Sequence, residues 1–253
     1  MKFEIMRHRL IDGLNDVMKA ISSKTTIPIL TGIKIEVTEK GLRKLPTNDV
    51  EIEVNEQFKT HIRSGKSEFH INGFDASEYP LLPEIQDDRQ FTIPSDLLKS
   101  IVRETVFAIS TSESRPILTG VHWQVKNGEL ICVATDSHRL ARRKTTLEQM
   151  PEGEYSVVIP GKSLTELSKI IGDSSVPVHI VMTNQQVLFK TSDVSFYSRL
   201  IEGTYPDTSR LIPNQFNTNV TIDGKALFQA IDRASLLARE ERNNIVRFTS
   251  LEG

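Results

Sequence analysis

Residues 91–120, FTIPSDLLKSIVRETVFAISTSESRPILTG, repeat the pattern of residues 3–32, FEIMRHRLIDGLNDVMKAISSKTTIPILTG. Each segment begins with a short β-type phrase, continues with apolar residues spaced three and four apart, and ends in the same five residues. The spacing predicts one amphipathic helix in each segment. A third copy of the first two parts begins at Val220 and runs to Leu237. Such repetition indicates one supersecondary unit that is used several times.

Between the predicted helices, polar and apolar residues alternate with a period of two, which is typical of strands with one buried face. The strand after the first two helices is predicted at 33–37 and 121–125. Further strands are predicted at 50–54, 57–63, 67–72, 131–135, 139–144, 155–159, 176–182, 186–190 and 194–201. Several strands for each helix favour an α+β fold, with helices on one face of antiparallel sheets.

The middle repeat contains a second predicted helix, at about 162–171. Ser163 and Glu166 have the spacing of a capping box at its start. Ser95 is predicted to cap the helix that follows residue 95.

The first two repeats differ in length. The Pro-Ile-Leu-Thr-Gly phrase recurs after 88 residues, whereas the Tyr79-Pro80 turn recurs after 126, at Tyr205-Pro206. Repeat one is therefore 38 residues shorter and lacks a counterpart of residues 131–168. Losing two or three strands and most of a helix would open a core at a cost above the usual stability margin of about 5–15 kcal/mol. We therefore expect the natural protein to contain this segment.

Composition limits the class of protein. With 38% hydrophobic and 25% charged residues, the chain is typical of soluble globular proteins, and its apolar stretches are too short for a membrane span. The N-terminus lacks the apolar core of a signal peptide, and the single Cys132 gives no disulfide framework, so we expect a cytoplasmic protein. The formal charge of −2 argues against a tight, nonspecific nucleic-acid binder, so any DNA contact should be local or weak.

Three phrases carry a resemblance to a known family: TSESRPILTG at 111–120, ATDSHRLA at 134–141 and GTYPD at 203–207. In this order, and together with the repeated helix unit, they resemble the bacterial sliding clamp, the beta subunit of the replicative DNA polymerase III. The resemblance extends along essentially the whole chain, apart from the 38-residue gap. It implies repeated clamp-type domains that form a ring of two head-to-tail subunits, with antiparallel sheets outside and helices inside.

The resemblance also implies three domains in each subunit. Residues 1–88 would be the first domain, with the 38 residues missing after Leu42. Residues 89–214 would be the second domain, and residues 215–253 the N-terminal fragment of the third.

A pocket between the second and third domains of the family receives a short linear peptide from polymerases and other clients. The residues that match this pocket are Arg115, Leu118, Thr135, Ser137, His138, Arg139, Leu140, Pro206, Arg210 and Leu211. The leucines and Pro206 can form an apolar floor, and the three arginines can orient polar groups of a peptide. Many bacterial clamps carry glycine at the position of Ser137.

The run Thr135-Asp136-Ser137-His138-Arg139 also permits other interpretations. A nucleic-acid-processing hydrolase could use Asp136 and His138, although on a strand Ser137 would point to the opposite face and could not complete a triad. A turn in which Asp136 accepts backbone hydrogen bonds is the structural alternative. The resemblance favours peptide recognition.

For duplex DNA, the resemblance implies sequence-independent contacts from basic residues on or beside the repeated helices. The candidates are Lys19, Lys24, Lys99, Arg103 and Lys162, of which Lys24 matches a basic DNA-facing position of the family. A few screened phosphate contacts suit a ring that must slide. Leu236 and Leu237 match positions where the third domain packs on the neighbouring subunit of a homodimer.

We expect no cofactor and no metal, because the six histidines are scattered without metal-ligand spacing and there is no glycine-rich phosphate loop. Together with the resemblance, this predicts a non-enzymatic processivity factor. Its expected partners are duplex DNA, the replicative DNA polymerase, a clamp loader and other proteins with clamp-binding motifs. A repeat-built scaffold that does not bind DNA is a third interpretation.

Overall fold

The computed structural model describes residues 2–21, 33–35, 49–78, 89–148, 153–172, 175–213, 215–238 and 246–249. The chain divides into two units, Met1–Tyr205 and Pro206–Gly253, and each is described by itself. No helix among the described residues is long and apolar enough to cross a membrane.

Repeat one forms an antiparallel sheet and one helix within the first unit. The elements are β1 (Lys2–Met6), α1 (Arg7–Ala20), β2 (Asp49–Val54), β3 (Lys59–Ser64) and β4 (Ser67–Asn72). The strand order is β1-β2-β3-β4, so β4 lies at one edge.

The middle repeat forms two four-stranded sheets and two helices. Its elements are β5 (Gln90–Pro94), α2 (Ser95–Thr105), β6 (Gly120–Lys126), β7 (Glu129–Thr135), β8 (Leu140–Thr146), β9 (Tyr155–Pro160), α3 (Gly161–Ile170), β10 (Pro177–Met182), β11 (Gln186–Lys190) and β12 (Ser195–Arg199). The sheet orders are β12-β11-β10-β5 and β8-β7-β6-β9, with all described pairings antiparallel. The predicted α+β architecture is confirmed.

Both sheets of the middle repeat bury their inner faces in one core. Trp123 on β6 and Phe189 on β11 meet edge to face, with ring centroids 6.0 Å apart. Leu98 and Ile101 on α2 and Leu164 on α3 are fully buried in the same cluster. The helical spacing of apolar residues therefore marks the buried faces correctly.

The helix of repeat one is less covered than its counterpart. Residues at equivalent positions of the two helices are 88 apart in sequence. Leu10 is half-buried, whereas its equivalent Leu98 is fully buried. Val17 is 45% exposed, whereas its equivalent Thr105 is 0% exposed. In the middle repeat, α2 packs against β7 and β8. Among the described residues of repeat one, no strand occupies the position of β8 against the equivalent face of α1.

The strand predicted at 33–37 is not formed at Ile33–Ile35, which have no regular structure, and residues 36–37 lie outside the described part of the chain. The matching strand in the middle repeat, β6, is held between β7 and β9. A strand is defined by ladder hydrogen bonds. The described strands of repeat one form a single sheet, β1 to β4, which does not include Ile33–Ile35.

Both predicted serine caps are wrong. Each helix begins one residue earlier than predicted, directly after Pro94 and Pro160, and neither serine side chain caps it. Ser95 instead exchanges hydrogen bonds with the backbone of Val176, its Oγ accepting from the Val176 N–H at 3.1 Å. Ser163 lies inside α3 and accepts a hydrogen bond from the Ser198 hydroxyl at 2.9 Å. These serines tie helices to strands, which local spacing could not reveal.

The second Pro-Ile-Leu-Thr-Gly phrase forms a 3-10 turn at Pro116–Thr119, followed directly by β6. Leu118 is buried, and its carbonyl accepts a hydrogen bond from the Ser110 N–H at 2.8 Å. A Cβ on Gly120 would lie 2.7 Å from the Ile159 carbonyl oxygen and from Val158 Cγ1. The phrase ends in glycine because β9 approaches too closely for a side chain.

The second unit contains a 3-10 turn at Ser209–Leu211 and the helix α4 (Gly224–Ala238). Asp223 caps α4, its Oδ1 accepting from the Ala226 N–H at 2.7 Å. The helix predicted from the third copy is confirmed. Its apolar Phe228 and Leu236 are 69% and 62% exposed.

Candidate functional site

The turn between β7 and β8 consists of residues 136–139. It carries three predicted pocket residues, Ser137, His138 and Arg139, and their neighbour Asp136. Thr135 Oγ1 donates to the Arg139 carbonyl at 2.7 Å and accepts from the Ser137 N–H at 3.1 Å. Ser137 has φ +80°, a left-handed conformation that glycine adopts without steric cost. The turn geometry therefore accounts for a position at which glycine is a natural alternative to serine.

Asp136 organises this turn. Its Oδ1 accepts from the backbone N–H groups of His138 at 2.9 Å and Arg139 at 3.0 Å, and its Oδ2 accepts from Arg139 Nε at 3.0 Å. These two backbone hydrogen bonds, of which the one from His138 has the larger effect, are the main reason that the pKa of Asp136 is lowered. The carboxylate is an ionised acceptor committed to the turn. His138 bonds to it through its backbone, so the arrangement is that of a turn and not of a catalytic triad.

Two arginines project beside the turn. Arg115 Nη1 donates to Ser137 Oγ at 3.2 Å. The Arg139 guanidinium lies 5.8 Å from the centre of the Phe107 ring, within cation–π range. Ser137, His138 and Arg139 are all exposed. The structure thus brings together the predicted polar residues of the first unit. Arg115, Ser137, His138 and Arg139 are accessible to a ligand, whereas Thr135 is buried beneath the turn.

An apolar cluster underlies this polar edge. Leu118, Val133, Val158 and Tyr205 are buried together, and the half-buried Leu140 packs against them. Leu118 is only 3% exposed, so it supports the site more than it faces a ligand. Leu140 is the predicted apolar residue of this unit with accessible surface.

Tyr205 is a supporting residue that the pocket prediction omits. Its hydroxyl accepts from the Thr135 N–H at 3.1 Å, and its ring stacks on His122 with centroids 4.8 Å apart. Burial raises the pKa of Tyr205 and lowers the pKa of His122, so both rings remain neutral near pH 7. The repetition of the Tyr-Pro turn in the sequence draws attention to Tyr205, but it does not reveal the contacts of Tyr205 with Thr135 and His122.

The remaining pocket candidates belong to the second unit. Pro206 is exposed, and Leu211 is 62% exposed in the 3-10 turn. Arg210 lies in the same turn, which Asp207 stabilises by accepting from the Ser209 N–H at 3.0 Å. Their role beside the first-unit residues stays a prediction.

The basic candidates are distributed over three helices. Lys19 pairs with Asp16 at 3.0 Å and donates to the Lys169 carbonyl of α3 at 3.3 Å. Arg103 on α2 and Lys162 on α3 are exposed, and Lys99 is half-buried. Lys24 lies outside the described residues, as does the side chain of Leu237.

The comparisons with known proteins cover the chain in order. Models of the DNA polymerase III beta subunit match its N-terminal domain at residues 1–43 and 40–83, its central domain at 92–207 and its C-terminal domain at 209–253. The chain is 49% identical over 294 residues to the beta sliding clamp of Bacillus subtilis, covering 99% of this chain and 78% of the relative. The chain belongs to the bacterial beta sliding clamp family.

Other clamps agree with this assignment. The Staphylococcus aureus beta sliding clamp is 43% identical with the same coverage. The crystal structure of the Bacillus subtilis sliding clamp superposes with a TM-score of 0.87 at 50% identity, covering 96% of this chain and 76% of that chain. The Streptococcus pyogenes beta subunit superposes with a TM-score of 0.86 at 36% identity and the same coverage.

Family membership confirms the resemblance, the clamp fold and a role as a DNA sliding clamp in processive replication. DNA and the polymerase are accordingly its partners. Nothing in the comparisons supports the hydrolase interpretation.

Proposed function

We propose that this chain is the subunit of a homodimeric ring that encircles duplex DNA and tethers the replicative polymerase without catalysing a reaction itself. The observation that carries the proposal is the ordered match of all three beta-subunit domains along the chain. A tethered polymerase rebinds its template at a high effective concentration. We further propose loading by a clamp loader and activity in the bacterial cytoplasm.

Contact with DNA is proposed through the basic residues of the repeated helices, led by Lys24, with Lys19, Lys99, Arg103 and Lys162. The net charge of −2 suits this role because the ring holds DNA by topology. Exposed cations contribute weak, salt-screened phosphate contacts that permit sliding.

Client peptides are proposed to bind beside the β7–β8 turn. Arg115, Ser137 and Arg139 offer exposed donors to backbone and side-chain groups of an extended peptide, and Leu140 offers apolar surface. Thr135 and His138 shape the turn, and Leu118 supports its floor. Pro206, Arg210 and Leu211 are proposed to complete the pocket from the second unit.

Three clamp domains are proposed at residues 1–88, 89–214 and 215–253, with a segment of about 38 residues absent after Leu42. The break in the N-terminal domain match, at residues 40–43, supports this position. The 294-residue alignment with the Bacillus subtilis relative, longer than the 253 residues of this chain, supports it as well. So does the exposure of Val17 on α1.

Homodimer formation is proposed to join two different apolar surfaces. In the first unit, the edge strand β4 carries Phe69 and Ile71, which are 61% and 53% exposed. In the second unit, α4 carries Leu236, and Leu237 follows it in the helix. Contact between unlike surfaces is heterologous, and such contacts form a closed ring when the rotation between subunits returns to the start.

Leu236→Asp is expected to shift the full-length protein toward monomer, with a dimer dissociation constant about tenfold higher or more, because an unpaired charge would be buried in the contact. Sedimentation velocity measures the change. Leu236→Met keeps an apolar side chain of similar volume at the same position and should leave the dimer intact. A Leu236→Asp protein that sediments as the native dimer would exclude this interface.

Topological retention tests the proposed function. The full-length protein, loaded by its clamp loader, should remain on nicked circular DNA and should be lost when that DNA is cut once. Equal retention on the circular and linearised forms would indicate ordinary affinity and contradict the ring. Loss from both forms would favour a scaffold that does not hold DNA.

A further inference from the structure

The β3–β4 hairpin places two histidines directly opposite each other on neighbouring strands. His61 and His70 are direct cross-strand partners, and their rings meet edge to face with centroids 4.4 Å apart. Facing side chains on an antiparallel pair have Cβ atoms about 4.5–5.5 Å apart. Two imidazoles in this arrangement can direct nitrogen atoms at one point between the strands.

A carboxylate joins the pair on the same face of the sheet. Glu68 precedes His70 by two residues on β4, and residues two apart on a strand share a face. The candidate ligand atoms of His61, Glu68 and His70 all lie within 4.8 Å of one another. Ligands of one tetrahedral zinc ion lie about 3.3 Å apart, given Zn–N distances of about 2.0–2.1 Å. Side-chain rotation can close this difference because His61 is half-buried and the other two are exposed.

The surrounding charge favours a cation. Glu53 faces His61 from β2, and Glu51 faces Arg63. Arg63 Nε donates to Glu68 Oε1 at 3.1 Å, and its Nη1 lies 3.6 Å from Glu51. The Arg63 guanidinium thus contacts two of these three carboxylates, and its bond to Oε1 orients Glu68 while Oε2 can turn toward an ion. Carboxylates that bind a metal are usually hydrogen-bonded by such outer-shell groups, which hold them in position.

We propose that His61, Glu68 and His70 form a surface site for a divalent transition metal, with zinc as the best-suited ion. Imidazole nitrogen and carboxylate oxygen are zinc ligands, whereas magnesium and calcium prefer oxygen alone. With three protein ligands, a water molecule would occupy the fourth position. A bound ion would connect β3 to the edge strand β4, which gives the first unit a second stabilising element in addition to its core.

Zinc titration of the natural full-length protein, followed by calorimetry, tests the site. The protein should bind one zinc ion per subunit at this hairpin, and zinc should raise its melting temperature because the ion binds only the folded hairpin. His70→Ala and His61→Ala should each weaken zinc binding by about tenfold or more, since even outer-shell changes cost about 10- to 100-fold.

His8→Ala, which removes an exposed histidine on α1 outside the cluster, is the matched control and should bind zinc normally. Cys132 is fully buried and does not compete for the ion. Circular dichroism verifies that each variant is folded. Undetectable zinc binding by the native protein, or equal binding by native and His70→Ala proteins, would overturn the proposal.

Discussion

Replacing Arg139 and Leu140 together with alanine is expected to weaken binding of a client peptide by about 2–4 kcal/mol, or about 30- to 1000-fold. Arg139 is an exposed donor fixed by Asp136 and Phe107, and Leu140 is the accessible edge of the apolar cluster. Arginine in a central position is typical of binding hot spots. The double change removes the orienting charge and the adjoining apolar contact from one end of the same strand.

Fluorescence anisotropy with a labelled clamp-binding peptide measures this effect on the full-length protein. Lys144→Ala is the matched control, because Lys144 is also an exposed, ion-paired cation on β8, bound to Glu129 at 2.7 Å. It should bind peptide with native affinity, and both proteins should sediment as the native dimer. An unchanged peptide affinity in the Arg139→Ala, Leu140→Ala protein would remove these residues from the site.

Trp123→Ala is expected to lower the free energy of unfolding by about 3–5 kcal/mol. Trp123 is fully buried and connects the two sheets of the middle repeat through Phe189. Alanine would leave a cavity between the two sheets, because the residues around position 123 could move only partly into the space of the indole ring. Urea denaturation followed by circular dichroism measures the loss.

Trp123→Phe separates cavity formation from other effects. Phenylalanine keeps an aromatic contact with Phe189 and removes the indole Nε1, which has no hydrogen-bond partner among the described residues. We therefore expect it to cost less than half as much as alanine. Equal losses in the two variants would show that ring volume at this position does not hold the sheets together.

The helices and strands of the middle repeat were predictable because each element buries one face. This burial imposes a regular spacing of apolar residues along the sequence. Helix starts were less predictable, since Ser95 bonds to Val176, just before β10, and Ser163 bonds to Ser198 on β12, both distant in sequence. The strand predicted at 33–37 is wrong at residues 33–35, because a strand needs hydrogen-bonded neighbours, which no local pattern provides.

Of the candidate site, the residue types were predictable and their arrangement was not. The left-handed backbone of Ser137, the double role of Asp136 in the turn and the support from Tyr205 depend on atoms brought together by folding. The six histidines were predicted to be scattered, yet the register of β3 and β4 places His61 opposite His70.

Three properties can be read from the residues alone: one helix-and-strand unit is used three times, the chain resembles the sliding clamps, and repeat one is shorter by 38 residues. These properties follow from spacing along the chain, which a sequence records directly. The tertiary structure alone decided which residues share a surface: the polar edge around Ser137, the exposed apolar side of α1 and the histidine pair on the hairpin. Hydrogen-bond register and packing set those distances between residues far apart in sequence, and neither is encoded in any local pattern.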